Sequence, residues 1–435
     1  FGGNPLLISL TRLADEGLLD RDRLANASTF SPQRVDYPAV RSLKFPLLRR
    51  AFERFSRDAE QQRKTDFEAF CHSNAHWLDD YALYMALKDA HNGGPWWQWE
   101  ADLVSRKEPA LLRARRDLST EVRFRQFLQF TFFSQWFALK RYANERKVRI
   151  VGDIPIFVAH DSADVWAHQD IFTLDAHGYP SVVAGVPPDF FSATGQRWGN
   201  PHYRWDVLER AGYGWWVDRL RETLKQVDIV RVDHFRGFEA YWEIPAQNPT
   251  AEHGRWVKGP GEAFFRSVEA TLGRALPIIV EDLGTITPEV IALREQLGYP
   301  GMKVLQFAFG DDASNPYLPH NYDHDFVVYT ATHDNDTTVG WFASLSEGQR
   351  SAVLRYLGRD GRDIAWDLIR LAWSSVANMS IVPLQDVLGL GSEARMNFPG
   401  KVGGNWAWRY EPSQLTQRHA DRLRELTEIY GRKPA

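Results

Sequence analysis

Four short segments of the chain place acidic side chains next to apolar, β-branched runs. They are Gly152-Asp153-Ile154-Pro155, Arg231-Val232-Asp233-His234, Glu281-Asp282-Leu283-Gly284 and His333-Asp334-Asn335-Asp336. Core packing does not explain an acidic residue at the end of a buried strand, because a buried carboxylate without a partner costs too much free energy. One such segment alone would be a salt bridge or a loop cap. Four of them at corresponding positions of successive units indicate a functional site. Like charges that converge repel each other, and a protein tolerates this cost where its function needs the charges.

Three such carboxylates suit chemistry at a glycosidic bond. One carboxylate attacks the anomeric carbon, and a second carboxyl group, whose pKa is raised, protonates the leaving oxygen. The third can hold sugar hydroxyls. An acidic cluster could instead bind Mg²⁺, but no Walker-type glycine loop or other phosphate cradle accompanies it. A metal-dependent phosphoryl-transfer or isomerase barrel is therefore the less favoured class.

Short apolar runs alternate with helical stretches from Val148 onward. The strand candidates are Val148–Val158, Ile229–Val232, Ile278–Glu281, Met302–Ala308, Phe326–Thr330 and Ser380–Pro383, and the helix candidates are Tyr213–Gln226, Glu262–Leu272, Pro288–Leu297, Ser346–Leu357 and Asp363–Ala372. The alternation predicts an α/β fold of repeated βα units. In a (β/α)₈ barrel, the TIM barrel, the strand ends form the floor of the active site. Because a closed barrel needs eight strands, six candidates predict either an open sheet or two barrel strands upstream of Phe1.

The chain before Val148 has a helical pattern. Apolar side chains such as Phe52 and Phe55 recur there at three- and four-residue spacing, which is typical of amphipathic helices. We expect a barrel-associated segment at 1–30, a mostly helical insertion subdomain at 31–147 and catalytic barrel units at 148–435. Within the barrel units, the glycine- and proline-containing stretch 185–201 has the length and composition of a loop that covers substrate.

Composition excludes several classes of protein. A formal net charge of −4 and a pI of about 6.4 leave no basic excess for nucleic acid or an anionic membrane. No apolar run approaches the roughly 20 residues of a membrane helix. The single cysteine, Cys71, precludes an intrachain disulfide and favours a reducing, cytoplasmic location. The 17 Trp, 15 Tyr and 26 Phe residues mildly favour sugar binding, because aromatic faces pack against pyranose rings.

Several motifs resemble those of a known family. The segments Ile229-Val230-Arg231-Val232-Asp233-His234, Val280-Glu281-Asp282-Leu283-Gly284 and Thr332-His333-Asp334-Asn335 are similar to conserved regions of the α-amylase clan. The segments Gly152–Val158, Gly185–Pro201 and Gly404–Arg409 narrow the resemblance to glycoside hydrolase family 77, the 4-α-glucanotransferases. Members of that family begin with a strand and a glycine-rich loop before the Phe-x-Gly-Asn-Pro motif. The resemblance therefore implies two barrel strands upstream of Phe1.

The resemblance implies roles for the three carboxylates. Asp233 matches the nucleophile that forms a covalent glucosyl-enzyme, and Glu281 matches the general acid/base. Asp334 matches the carboxylate that holds the 2- and 3-hydroxyls and helps to distort the ring. Arg231, two residues before the nucleophile, would keep Asp233 ionised by its charge.

Further residues match substrate contacts of the family. His234 and His333 match ligands of sugar hydroxyls, and Asp153 matches a polar residue at the floor of the site. Gln196 and Trp198 lie in the loop that arches over the cleft in this family. Asn405 matches a residue at the rim.

The implied activity is that of a retaining hexosyltransferase. It would move α-1,4-glucan segments from maltooligosaccharides, amylose or starch to the 4-hydroxyl of an acceptor glucan or glucose, without a cofactor or metal ion. Retention predicts that the carboxyl groups of Asp233 and Glu281 lie about 5–5.5 Å apart. An α-glucan hydrolase of the same clan and a non-catalytic glucan-binding barrel fragment remain the alternatives. Chain-length preference, cyclisation and oligomeric state are left open by the sequence.

Overall fold

The computed structural model describes residues 1–22, 24, 30–188 and 192–433. Within these residues the chain forms ten strands: β1 Val151–Pro155, β2 Val182–Val186, β3 Gln196–Pro201, β4 Ile229–Asp233, β5 Ala240–Pro245, β6 Arg255–Lys258, β7 Ile278–Val280, β8 Gly301–Val304, β9 Phe326–Tyr329 and β10 Met379–Ile381. All six predicted strands are present, as β1, β4, β7, β8, β9 and β10. The other four strands were not predicted.

Helices account for most of the remaining regular structure. The α-helices of the described residues are α1 Leu10–Asp15, α2 Tyr37–Asp58, α3 Gln61–Ser73, α4 Ala75–Ala90, α5 Ala101–Val104, α6 Glu108–Asp117, α7 Ser119–Glu145, α8 Ala163–Ala167, α9 Trp205–Arg210, α10 Gly214–Gln226, α11 Arg236–Glu239, α12 Gly261–Leu272, α13 Pro288–Leu297, α14 Thr338–Ser344, α15 Glu347–Leu357, α16 Ile364–Ser374, α17 Leu384–Val387 and α18 Gln417–Ile429. The five helices predicted between the strands are confirmed as α10, α12, α13, α15 and α16. None of the described helices is both long and apolar enough to cross a membrane.

The chain divides into two compact units, each built from three segments. Unit 1 comprises Phe1–Thr29, Tyr37–Ile278 and Thr287–Leu293, and unit 2 comprises Phe30–Asp36, Ile279–Ile286 and Arg294–Ala435. The predicted division into segments 1–30, 31–147 and 148–435 stays a prediction.

An aromatic core holds the helices of unit 1 together. Phe52 and Phe55 of α2, Phe67 of α3, and Phe127 and Phe130 of α7 are all buried. The ring centroids of Phe55 and Phe127 lie 5.0 Å apart, and those of Phe67 and Phe130 lie 5.5 Å apart. Burial of each such side chain contributes about 1.5–3 kcal/mol to folding. The three- and four-residue spacing of the sequence thus places these rings on the packed faces of their helices.

Parallel strands supply the framework of both units. In unit 1, β1 and β4 pair in parallel with Asp153 opposite Arg231 and Pro155 opposite Asp233. In unit 2, the strand order is β10-β9-β8, and all pairings are parallel. The residues of β9, Phe-Val-Val-Tyr, are all buried, as expected for a parallel strand covered on both faces.

The four unpredicted elements form an antiparallel sheet in unit 1, with the order β3-β2-β5-β6. The prediction of a long loop over 185–201 was wrong at both ends of that stretch, which belong to the paired strands β2 and β3. Gly185 permits the pairing, because a Cβ atom there would lie 2.2 Å from the Gln196 carbonyl oxygen. Residues 189–191 of the stretch lie outside the described residues.

In unit 2, two segments far apart in sequence pair side by side. Arg34 and Trp408 form an isolated antiparallel bridge. The Val35 N–H donates to the Ala407 carbonyl at 2.7 Å, and the Arg409 N–H donates to the Gln33 carbonyl at 2.8 Å. This pairing, which we call the strap, joins the first segment of unit 2 to its last.

A buried carboxylate anchors the chain that follows β9. Asp386, on α17, is fully buried. Its Oδ2 accepts hydrogen bonds from the Thr330 and Thr338 hydroxyls at 2.6 and 2.7 Å, and its Oδ1 accepts one from the Thr338 N–H at 2.8 Å. Burial raises the pKa of Asp386, and the hydrogen bonds from these two threonines oppose that shift. The network fixes both ends of the loop 330–338, which carries His333 and Asp334.

Asp386→Ala is expected to lower the free energy of unfolding by about 3 kcal/mol, because it leaves three buried donors without their acceptor. Urea denaturation monitored by circular dichroism measures this change. Asp360→Ala is the matched control, since the Asp360 side chain is exposed and its ion pair with Arg362 lies at the surface. Equal stabilities of the two variants would contradict the anchoring role of Asp386.

Candidate active site

The end of β4 carries an ion-pair network with a buried cation at its centre. Side chains two residues apart on a strand share a face, so Arg231 and Asp233 point to the same side of the sheet. The Arg231 Nη1 donates to Asp233 Oδ1 at 2.9 Å and to Asp153 Oδ2 at 2.6 Å. The Arg231 side chain is 10% exposed, whereas Asp153 and Asp233 are 41% and 42% exposed. The cation is thus buried beneath two carboxylates that remain open to solvent.

His234 turns the chain sharply directly after Asp233. Its φ is +52°, a left-handed conformation that costs free energy for a residue with a side chain and is enriched at functional sites. Burial, with the nearby charge of Arg236 as a smaller cause, lowers the pKa of His234 to about 3. The imidazole is therefore neutral at neutral pH, so that one ring nitrogen can donate a hydrogen bond and the other can accept one.

Gln196 and Trp198 of β3 lie beside this turn. The Trp198 and His234 rings meet edge to face with their centroids 4.8 Å apart, and the Trp198 Nε1–H donates to Gln196 Oε1 at 3.2 Å. The Trp198 side chain is 39% exposed. Unit 1 therefore brings together the six site residues predicted within it, which are Asp153, Gln196, Trp198, Arg231, Asp233 and His234.

In unit 2, Glu281 directly follows β7. Its Oε1 accepts a hydrogen bond from the Leu283 N–H at 3.0 Å, and the residue is partly buried. The next residue, Asp282, is held from the other side, because its Oδ1 accepts a hydrogen bond from the Met302 N–H at 2.7 Å. The turn 281–283 therefore fixes the Glu281 carboxyl group at the end of the strand.

Asp334 lies in a second polar group of unit 2, together with His333. The Asn397 Nδ2 donates to Asp334 Oδ1 at 2.6 Å, and the Arg395 Nη2 donates to the Asp334 carbonyl at 2.7 Å. The His333 Nε2 is 3.3 Å from Asp334 Oδ2. The Asp334 side chain remains 40% exposed, so that the carboxylate is both oriented and accessible to a hydroxyl.

Asn397, Arg395 and Trp406 are site residues that sequence reasoning missed. The Trp406 ring lies 5.0 Å from the His333 ring, and Trp406 is 49% exposed with a φ of +57°. Its position in the Gly404–Arg409 motif could have identified it. Asn397 and Arg395 lie outside every quoted motif, and the sequence offers no signal for them.

The amide of Asn405 is bound within its own loop. Its Oδ1 accepts from the Phe398 N–H at 3.1 Å, and its Nδ2 donates to the Lys401 carbonyl at 3.0 Å. These contacts shape the loop 398–405. The predicted substrate contact of Asn405 stays a prediction, as do the roles of the other site residues.

A comparison with protein families identifies the chain. Residues 1–416 match the family model described as 4-alpha-glucanotransferase, glycoside hydrolase family 77. The chain belongs to the 4-α-glucanotransferase family. The family resemblance seen in the sequence motifs is thereby confirmed, and the hydrolase and non-catalytic alternatives are not favoured.

Individual 4-α-glucanotransferases agree with this assignment. The proteins of that name from Synechocystis and Thermus thermophilus are each 52% identical to the chain, over 99% of its length and 86% and 87% of their own. The solved amylomaltase from Streptococcus agalactiae in complex with acarbose has a TM-score of 0.95 at 36% identity, over 99% of this chain and 87% of that one. The predicted fold class, an α/β fold of TIM-barrel type with substantial helical content, is confirmed by this match.

Proposed function

We propose that the chain transfers α-1,4-glucan segments by a retaining mechanism in which Asp233 is the nucleophile and Glu281 the general acid/base. The observation that carries the assignment of Asp233 is the buried Arg231 guanidinium, whose Nη1 lies 2.9 Å from Asp233 Oδ1. A nucleophilic carboxylate must be ionised, and a cation at that distance favours the charged form. The exposed fraction of Asp233 leaves the carboxylate accessible to an anomeric carbon.

The reaction has two steps, which together replace the leaving glucan at C1 of the sugar by an acceptor glucan. Asp233 attacks C1 while the bond from C1 to the glycosidic oxygen breaks, and Glu281 gives its proton to that oxygen. The shortened glucan leaves with its new 4-hydroxyl. In the second step Glu281 takes the proton from the 4-hydroxyl of an acceptor, whose oxygen displaces Asp233 from C1.

The polar group around Asp334 suits the holding of sugar hydroxyls. Asn397 and Arg395 fix the orientation of Asp334, so a hydroxyl that donates to the carboxylate meets an acceptor already in position. The substrate class of α-glucans is supported by the relative that was solved with acarbose. The finer substrates, maltooligosaccharides, amylose and starch, are part of this proposal.

Exposed aromatic rings support transfer rather than hydrolysis. Trp198 and Trp406 each present an open face next to a histidine of their unit. An acceptor sugar that stacks on such a ring would displace water and be held for attack. The cytoplasmic location and the absence of a cofactor stay predictions from the sequence.

Incubation with maltotriose tests the proposed activity. Transfer converts maltotriose into glucose together with a ladder of longer oligosaccharides, which chromatography resolves. The number of reducing ends stays constant in transfer, because each cleaved bond is replaced by a new one. A rising number of reducing ends without products longer than maltotriose would instead assign the chain as a hydrolase.

A further inference from the structure

We propose that Asp282 positions the carboxyl group of Glu281 by taking the place of a backbone acceptor at the end of β7. This inference rests on the acid/base role proposed above for Glu281. It concerns a side chain that is only 10% exposed and that determines where the acid is held and in which electrostatic surroundings.

The hydrogen bonding between the end of β7 and the start of β8 supports this role. The Val280 N–H donates to the Pro300 carbonyl at 3.0 Å, as in a parallel ladder. Two residues further along the partner segment, the Met302 N–H donates to the Asp282 side chain at 2.7 Å. The Asp282 carboxylate thus accepts the next hydrogen bond from the partner segment, in place of a backbone carbonyl, at the point where the chain leaves β7. The release of the backbone at this point allows Glu281 and Leu283 to form the turn that holds the Glu281 carboxyl group.

Gly301 shows that the space for the Asp282 carboxylate is built into the neighbouring strand. A Cβ atom at position 301 would lie 2.4 Å from Asp282 Oδ2 and 2.9 Å from its Cγ. Gly301 does not have a positive φ, so a left-handed backbone conformation is not the reason for a glycine here. Glycine is needed because any side chain at position 301 would occupy the space of the Asp282 carboxylate.

The surroundings of Asp282 are strongly charged for a buried site. Its side chain is 10% exposed, and Oδ2 lies 3.7 Å from the Nε of Arg294, whose side chain is 8% exposed. Lys303 of β8 is a second cation whose charge interacts with that of Asp282. The Lys303 Nζ also lies 4.2 Å from the centre of the Phe326 ring. Burial raises the pKa of Asp282 and lowers the pKa of Lys303, and each group opposes the shift of the other.

Tyr317 is a further group that faces both Asp282 and Glu281. Burial raises the pKa of the Tyr317 hydroxyl, and the negative charges of Asp282 and Glu281 raise it further. Lys303 also faces Asp323. An ionised Asp282 beside Glu281 offsets Arg294 and Lys303, and this favours the protonated form of Glu281 that a general acid needs.

Asp282→Asn separates the charge of Asp282 from its hydrogen bond. The asparagine oxygen can still accept from the Met302 N–H, but the two cations lose their counter-charge. We expect the basic limb of the kcat/KM profile for maltotriose to move about one unit toward lower pH. The kcat at neutral pH falls about tenfold, and the KM stays within about twofold because the Asp282 side chain is buried and offers little surface to a sugar.

Gly301→Ala tests the same role without a change of charge. The new methyl group must displace the Asp282 carboxylate, so the kcat is expected to fall about tenfold at an unchanged KM. Gly310→Ala is the matched control, because nothing lies within 4 Å of a Cβ atom there and its φ is not positive. Wild-type pH profiles and kcat values for both Asp282→Asn and Gly301→Ala would overturn the inference, and a failure of either variant to fold leaves the other to decide.

Glu281→Gln with α-maltosyl fluoride as donor separates this inference from the proposed function. Fluoride leaves without protonation, so the first step needs no acid with this donor. The first step, measured as the burst of fluoride release, should therefore be slowed much less in Glu281→Gln and Asp282→Asn than the first step with maltotriose. If Glu281→Gln retained transfer from maltotriose, the acid/base role itself would be wrong. If Glu281→Gln is inactive on maltotriose while Asp282→Asn matches the unchanged protein at every pH, only the positioning role fails.

Discussion

Asp233→Asn should reduce the kcat for transfer from maltotriose by at least about a thousandfold, because the amide cannot form the covalent glycosyl-enzyme. The substitution keeps the size of the side chain, and its oxygen can still accept a hydrogen bond from Arg231. Quenched-flow measurement of glucose release gives the kcat directly. A fluorinated glycosyl fluoride forms a covalent adduct that is hydrolysed slowly. After treatment with it, the intact mass of the wild-type enzyme should increase by one glycosyl unit, and peptide mapping should place that unit on the peptide that contains Asp233.

Asp228→Asn is the matched control at the opposite end of the same strand. Asp228 directly precedes β4, and its Oδ2 accepts hydrogen bonds from the Ile150 N–H and the Asn144 side chain at 2.7 and 2.9 Å. In an α/β barrel this end of a strand serves stability rather than catalysis. Turnover within about twofold of the unchanged enzyme is therefore expected. A similar loss in both variants would mean that Asp233 acts through folding and is not the nucleophile.

Arg231→Met is expected to slow transfer by about 10- to 100-fold and to move the acidic limb of the pH–rate profile to higher pH. A hydrogen bond between charged groups contributes about 1.5–3 kcal/mol, and a loss of that size in the transition state has this effect on the rate. The acidic limb moves because Asp233 loses the cation that lies 2.9 Å from its Oδ1, and a nearby cation favours the ionised form of a carboxyl group.

Arg231→Lys and Arg210→Met complete that experiment. Lysine keeps the charge but lacks the planar guanidinium, so the rate should lie between those of the unchanged enzyme and Arg231→Met. Arg210 forms an exposed pair with Asp206 on α9, and its loss should leave the rate and the acidic limb unchanged. An acidic limb that stays in place in Arg231→Met would show that the guanidinium does not control the ionisation of the nucleophile.

The sequence predicts the parallel strands of this protein well and its antiparallel sheet poorly. Phe326–Tyr329 consists of β-branched and aromatic residues, and Ile229–Asp233 is apolar apart from Arg231 and Asp233. Both runs are buried over almost their whole length, and this signal is local. The strand Gln196–Pro201 has a polar and glycine-containing sequence, and its burial alternates little. It is a strand because Val182–Val186 pairs with it and with Ala240–Pro245. Such pairing is decided by distant residues, which a local pattern does not reveal.

The candidate site divides in the same way. Asp233, Glu281 and Asp334 stand at strand ends and in motifs, so residue type and position are sufficient to single them out. Asn397 and Arg395 hold Asp334 through contacts with no regular spacing, such as the 2.6 Å hydrogen bond from Asn397 to Asp334. Their importance follows from packing alone, and packing becomes visible only in three dimensions.

The strap determines when unit 2 can complete its folding during synthesis of the chain. The guanidinium of Arg409 donates to the carbonyl of Ser31 across a sequence separation of 378 residues. At a synthesis rate of about 5–20 residues per second, the early segment emerges roughly 20 to 75 s before its partner. Unit 2 therefore completes its folding only after the last residue of unit 1, Leu293, has been synthesised. Contacts at such separation fold slowly, so a nascent chain stalled before residue 407 should expose the segment 30–36 to protease.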